Sequence, residues 1–257
     1  MKKVMFAAAV AAAGLAFGIE SANTVGYNTV PSISSGQYVA LGVQFESCAG
    51  GAIAVKDLVT VSNPTGSGAM GGADQIWRWN TASASWTKYF YYSSRGVKRW
   101  VVSTDTTTET TDTVPAGETV FFCRAAGAAA TSLTLAGAVK EMTGASSVSV
   151  TSGQLAFMAN PWPVSVSIAS FNSNYSSGSP TGSGAMGGAD QIWRWNTATS
   201  SWTKYYYYSS RGQTRWVVST DTTTATTDTI PAGEGFFFQR AAGAASATIS
   251  IAAPSAN

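Results

Sequence analysis

The sequence contains itself twice. Residues 64–122 return at 180–238 with a constant offset of 116, and only nine of these 59 positions differ. Weaker matches extend the repeat: Ser35-Gly36-Gln37 corresponds to Ser152-Gly153-Gln154 at an offset of 117, and Arg124-Ala-Ala-Gly to Arg240-Ala-Ala-Gly. Each unit must therefore close its own core within about 110 residues, an ordinary size for a small domain. The expected organisation is a leader over 1–22, a first domain over 23–142 and a second over 143–257. The boundary falls in the polar stretch 139–147, which holds Lys140, Glu141 and Gly144.

Lys2 and Lys3 precede an apolar run of 16 residues, 4–19, that stops at Glu20. A basic start followed by such a run is the pattern of a secretory signal peptide. It falls short of the roughly 20 apolar residues that cross a bilayer. The expectation is export, a mature chain beginning between Ile19 and Asn23, no membrane span in that mature chain, and a secreted or cell-surface location.

Within one unit the β signals dominate. Gln75-Ile-Trp-Arg-Trp-Asn80 alternates bulky and polar side chains, and Trp86-Thr-Lys-Tyr-Phe-Tyr-Tyr92 follows after a short Thr/Ala/Ser loop. Together they predict a β-hairpin. Further strands are expected over 37–45, 99–103, 119–124 and 132–135, while 52–58 reads as a strand or a short helix. Short strands separated by regular turn signals predict an all-β fold: two tandem antiparallel β-sandwich or barrel-like domains.

Composition then removes classes of function. The chain has no His and 2 Cys, so His-based metal sites and Ser-His or Cys-His nucleophiles are excluded. A formal net charge of +2 leaves no electrostatic footprint for nucleic acid. Carboxylates at Asp74, Asp105, Asp112 and Glu118 recur as Asp190, Asp221, Asp228 and Glu234, but nothing in the sequence fixes the separation a glycosidase needs. The Thr-rich stretch 103–113 offers Asp105 and Asp112 to a calcium ion, yet Glu109 becomes Ala225 in the second copy and no EF-hand spacing is present; a solvated loop is the expectation. Gly66, Gly68 and Gly71, with Gly182, Gly184 and Gly187, match G-x-G-x-x-G. A strand rather than a helix follows, so a flexible surface loop is expected and not a nucleotide site. No catalytic residue, metal ligand or cofactor is expected.

Cys48 and Cys123 both lie in the first copy. In the second, Gln239 replaces Cys123 and Ser165 falls near the place of Cys48. Absence together is what a bridged pair predicts, and an exported chain permits one. A Cys48–Cys123 disulfide is the expectation, with two independent buried thiols as the alternative.

The aromatic residues recur as a set. Trp77, Trp79, Trp86, Tyr89 and Tyr91 return as Trp193, Trp195, Trp202, Tyr205 and Tyr207. On a strand, Trp77 and Trp79 share one face, while Tyr89 and Tyr91 lie opposite Trp86 and Phe90. Both faces of the second strand are thus aromatic, and a small core cannot easily bury all of them. Three readings stay open: core residues covered by Arg78, Arg95, Arg99 and Arg124 through cation–π contacts, a subunit contact, or a platform on which sugars stack.

The start Ala22-Asn-Thr-Val-Gly-Tyr-Asn-Thr29, the Asp-Gln-Ile-Trp hairpin and the ending Ile-Pro-Ala-Gly-Glu-Gly-Phe-Phe-Phe at 230–238 resemble a family of secreted repeat proteins. That family is abundant in the Planctomycetes–Verrucomicrobia–Lentisphaerae bacterial group. The resemblance spans most of the mature chain. It implies exported β-rich domains, often surface or matrix proteins, and brings no catalytic residues. Export, repetition and low charge together predict a structural protein whose partner is itself, forming a surface layer, filament or extracellular matrix. The strand-like stretches 23–30 and 247–251 are expected to add to a neighbour's sheet edge. The alternative is an adhesin that holds cell-surface glycans on the paired Trp/Tyr hairpins.

Overall fold

The computed structural model describes residues 25–139 and 146–252. The expected signal peptide and the centre of the expected linker lie outside these residues. Within them the chain is all-β, with only single 3-10 turns such as Val55–Asp57 and Met70–Gly72 between strands. Among the described residues no helix is long and apolar enough to cross a membrane.

The first copy builds two sheets. One has five strands, in the order β2 (Tyr38–Gly42), β10 (Thr119–Cys123), β6 (Gln75–Asn80), β7 (Ser85–Ser94) and β8 (Val97–Val102). The other centres on β11 (Thr131–Val139), flanked by β1 (Val25–Ile33), β3 (Phe45–Glu46) and β5 (Thr60–Val61). A small ribbon joins β4 (Ile53–Ala54) to β9 (Thr113–Val114). All the ladders are antiparallel, with Gln75 facing Phe90 and Trp79 facing Trp86 in the predicted hairpin. The stretch 52–58 resolves into both expectations, β4 followed by a 3-10 turn.

Alternation decides which side chains fill the sandwich. Val39, Leu41, Ile76, Tyr89, Trp100, Val120 and Phe122 point from the five-stranded sheet onto Ile33, Phe45, Leu133 and Leu135 of the other. The turn between β7 and β8 is tight because Arg95 and Gly96 both take positive φ, 50° and 81°. That is the twist a two-residue hairpin needs.

The second copy repeats the plan. Its strands are β12 (Ser146–Val150), β13 (Leu155–Ala159), β14 (Val166–Ser167), β15 (Tyr175–Ser177), β16 (Gln191–Asn196), β17 (Ser201–Ser210), β18 (Gln213–Val218), β19 (Thr229–Ile230), β20 (Gly235–Gln239) and β21 (Ala247–Ile251). Their orders are β13-β20-β16-β17-β18 and β12-β21-β15, with β14 on β19. A separate core gathers around Trp162, Phe171, Trp216 and Phe238.

Two expectations need correction here. The Gly-rich loop is not loose. Its backbone runs along the end of β7, with Ser67 N–H donating to Tyr91 and Ser93 N–H donating to Ser67. A Cβ at Gly66 would lie 2.4 Å from Ser93 Cβ, so glycine permits this approach. The loop's end is fastened by the Asp74–Arg124 ion pair at 2.7 Å, fully buried on both sides. Arg124 also donates to the carbonyls of Asn63 and Ala129. Full pairing is what allows such charges inside a core.

The Cys48–Cys123 bridge is not formed. Cys48 is exposed beyond β3, at the edge of the smaller sheet. Cys123 is buried on β10, on the outer face of the five-stranded sheet, opposite Tyr38. The two positions belong to different layers. Burial also pushes the Cys123 thiol up, away from the reactive thiolate.

Candidate functional site: the seam between the copies

The outer face of each five-stranded sheet carries the tryptophans, and these two faces pack on each other. Phe121, Phe157 and Phe237 form the buried centre, and Trp77, Trp79, Trp86, Trp193, Trp195 and Trp202 surround it half-buried. Phe121 of the first copy lies 5.5 Å from Trp195 and 5.9 Å from Trp202. Phe237 of the second copy lies 5.6 Å from Trp79 and 6.0 Å from Trp86. Most of these pairs meet edge to face, the arrangement aromatic quadrupoles favour. Lys88 and Lys204 cap the outer side of Trp77 and Trp193, at 3.9 and 4.0 Å from the ring centroids.

Hydrogen bonds cross the seam in matched pairs. Trp79 Nε1 donates to the Leu155 carbonyl at 2.7 Å, and Trp195 Nε1 to that of Tyr38 at 2.8 Å. Gln37 Nε2 donates to Thr197 at 3.1 Å, and Gln154 Nε2 to Thr81 at 2.9 Å. Gly42 N–H donates to Gly233 at 3.1 Å, and Ala159 N–H to Gly117 at 2.9 Å. Each bond maps onto its mate under the repeat offsets. The chain is thus a twofold dimer of its own halves, with an isologous interface inside one polypeptide.

The ten aromatic candidates therefore divide. The six tryptophans belong to the seam. Tyr89 and Tyr205 point the other way, into the cores of their own copies, and donate to Asp112 and Asp228 at 2.7 Å. Burial pushes the Tyr205 hydroxyl up to about 12, and its bond to Asp228 acts in the same direction. Tyr91 and Tyr207 pack against those cores beside Trp100 and Trp216. Each copy covers part of the other's face: Trp79 and Trp86 meet Phe237, and Trp195 and Trp202 meet Phe121, while Trp77 and Trp193 stay half-buried under Lys88 and Lys204. Sequence alternation located the face; the covering surface is a second copy of that face, which alternation cannot register. Gln37 and Gln154 were visible only as matched repeat residues.

The candidate carboxylates are all engaged. Asp74 and Asp190 hold Arg124 and Arg240. Asp112 and Asp228 hold the tyrosines. Glu118 forms a two-pronged pair with Arg78, at 2.8 and 3.0 Å, and Glu234 with Arg194. Asp105 accepts from Thr107 N–H at 2.8 Å, from Thr107 Oγ1 at 2.6 Å and from Thr108 Oγ1. These contacts hold its carboxyl down at about 2.

Three grooves open among the described residues; Arg194, Trp195, Asn196 and Thr203 of the second copy line one of about 390 Å³, and the other two lie at the rim of the seam. Of these two, one of about 610 Å³ is lined by Arg78, Trp79, Asn80, Thr87, Glu118 and Ser147. The other, about 400 Å³, lies between Tyr27 and Phe45 of the first copy and Pro161, Trp162 and Pro163 of the second, with Val139 in its wall. Three of the exposed large apolar residues, Tyr27 at 77%, Val139 and Val164, are at or next to this second groove. Compared with protein-family models, curated proteins and solved structures, the chain matches none.

Proposed function

We propose that the protein is an exported structural protein that associates with further copies of itself into a surface layer, filament or extracellular matrix. The observation that carries this reading is the apolar rim beside β1. Tyr27, Val139 and Val164 cluster there, and β1 is an edge strand with no charged side chain. An uncharged edge is a template for pairing with another chain, here over residues 25–30, because Pro31 and the register shift between Val30 and Ile33 interrupt the rest of β1. The edge strand β8, in contrast, carries Lys98 and Arg99. Of the two stretches expected to add to a neighbour, β1 keeps one side open, whereas β21 is flanked by β12 and β15. The second stretch, paired on both sides, has no free edge to add to a neighbour.

Light scattering of the mature chain at rising concentration, followed by negative-stain microscopy, tests this reading. Assembly is expected, and Tyr27→Lys with Val139→Lys is expected to suppress it. A monodisperse monomer at every concentration overturns it.

A second reading, carbohydrate binding, draws support from the 610 Å³ groove, where Trp79 stands beside Arg78, Asn80, Thr87 and Glu118. An aromatic wall with a few polar groups suits a sugar. A glycan array with the wild-type chain and Asn80→Ala separates this reading from the first.

A further inference from the structure

Near a twofold axis, a residue meets its own counterpart. In this seam the counterparts that meet differ in size. Thr119 lies against Gly235, its equivalent in the second copy. A Cβ added at Gly235 would sit 2.1 Å from Thr119 Cγ2 and 2.5 Å from its Oγ1. Ala159 lies against Gly42, its equivalent in the first copy. A Cβ added at Gly42 would sit 2.8 Å from Ala159 Cβ and 2.6 Å from the Gly233 carbonyl oxygen. Within each copy these residues are ladder partners, Thr119 with Gly42 and Gly235 with Ala159. Each copy thus offers one projection and one hollow, and the projection of each enters the hollow of the other. Thr119 Oγ1 also donates to the Met158 carbonyl across the seam.

A size difference recurs two ladder pairs further along, at the next pair on the same face. The first copy has Ala40 beside Phe121, where the second has Phe157 beside Phe237. Three phenyl rings and one methyl group fill four equivalent places. The exchange of Thr119 for Gly235 is one of only nine differences in the 59-residue block, and it falls where two identical residues would face each other.

We infer that the seam is a heterotypic lock: the first copy's tryptophan face accepts a second-copy face and rejects its own kind. Two first copies joined in this way would press Thr119 on Thr119 and leave Gly42 facing Gly42. Two second copies would press Ala159 on Ala159 and leave Gly235 facing Gly235. Overlap at one contact and a void at the other both oppose close packing. Any two chains that meet through opened seams can therefore close only by exchanging a first copy for a second. This yields swapped rings or head-to-tail strings and excludes branching through this surface. The lock is independent of the apolar rim, and it stands whether or not the chain assembles further.

A double-mutant cycle in the full chain tests it. Gly235→Ala alone is expected to lower the thermal midpoint by about 3–10 °C. In the Thr119→Gly background the same alanine is expected to cost nothing. An equal cost in both backgrounds overturns the lock. A second measurement covers a variant that fails to fold. A protease site is placed within 140–145, the folded chain is cut, and the mixture is unfolded, refolded and examined by native mass spectrometry. Complexes of one first half with one second half are expected. Pairs of like halves, or separate halves, overturn the inference.

Discussion

Phe157 stacks on Phe237 with ring centroids 4.2 Å apart and planes inclined by 15°. Both belong to the second copy, yet Phe121 of the first copy approaches Phe157 to 5.0 Å and completes the cluster. The centre of the molecule therefore belongs to neither domain. Phe237→Ala is expected to lower stability by about 3–5 kcal/mol, measured by urea denaturation. A midpoint equal to wild type would show that these rings are not packed.

Trp79→Phe keeps most of the apolar contact and removes only the indole N–H that reaches the Leu155 carbonyl. The expected cost is about 1 kcal/mol. Trp195→Phe, which loses the matched bond to Tyr38, is expected to cost the same within error. A large difference between the two would break the twofold equivalence of the seam.

Asp74→Ala leaves the Arg124 guanidinium buried without its counter-charge. The expected loss is about 3–5 kcal/mol, again by denaturant titration. Arg124→Lys should fail as a conservative change. A lysine ammonium cannot reproduce a planar fork that serves Asn63, Ala129 and Asp74 together.

Asp105 supplies the pH prediction. Its folded carboxyl is held down at about 2 by the Thr107 and Thr108 side-chain hydroxyls and by the Thr107 backbone N–H. A depressed carboxyl contributes stability that is fully present above its ordinary value of 3.8 and fades as pH falls towards 2. Carboxyl chemical shifts followed by NMR should place its midpoint near 2 in the wild type. In Thr107→Val the midpoint should rise towards the ordinary value. An unchanged midpoint in that variant would show that the hydroxyl does not set it.

Since no bridge joins Cys48 and Cys123, thermal stability should be the same with and without a thiol reductant. A disulfide over a long loop would add roughly 2–4 kcal/mol, and reduction would remove it. A drop in midpoint on reduction would restore the bridge.

The hairpin, the strand pattern and the all-β class were legible because alternation and turn residues are local signals. The same alternation assigned Trp77 and Trp79 to one face and Tyr89 and Tyr91 to the other. It could not say what lies over the tryptophans, since the cover comes from residues about 116 positions away that carry the same pattern. The cysteines misled for a related reason. Cys123 became Gln239 on the outer face, where Tyr38 also became Leu155. The exchange at position 123 thus follows the seam and its own ladder neighbour, and carries no information about Cys48. The lock was present in the sequence as paired differences, Thr119 to Gly235 and Gly42 to Ala159, but their meaning depends on which residues sit near an axis.

The pairing of the halves also sets a timetable. The tryptophan face of the first copy has no cover until its mate, 116 residues later, has left the ribosome. At ordinary synthesis rates that interval lasts roughly 6–23 s. Throughout it the nascent chain presents an aromatic surface that its own kind fits poorly. Neighbouring nascent chains that have made only the first half are thereby kept from joining prematurely through this face.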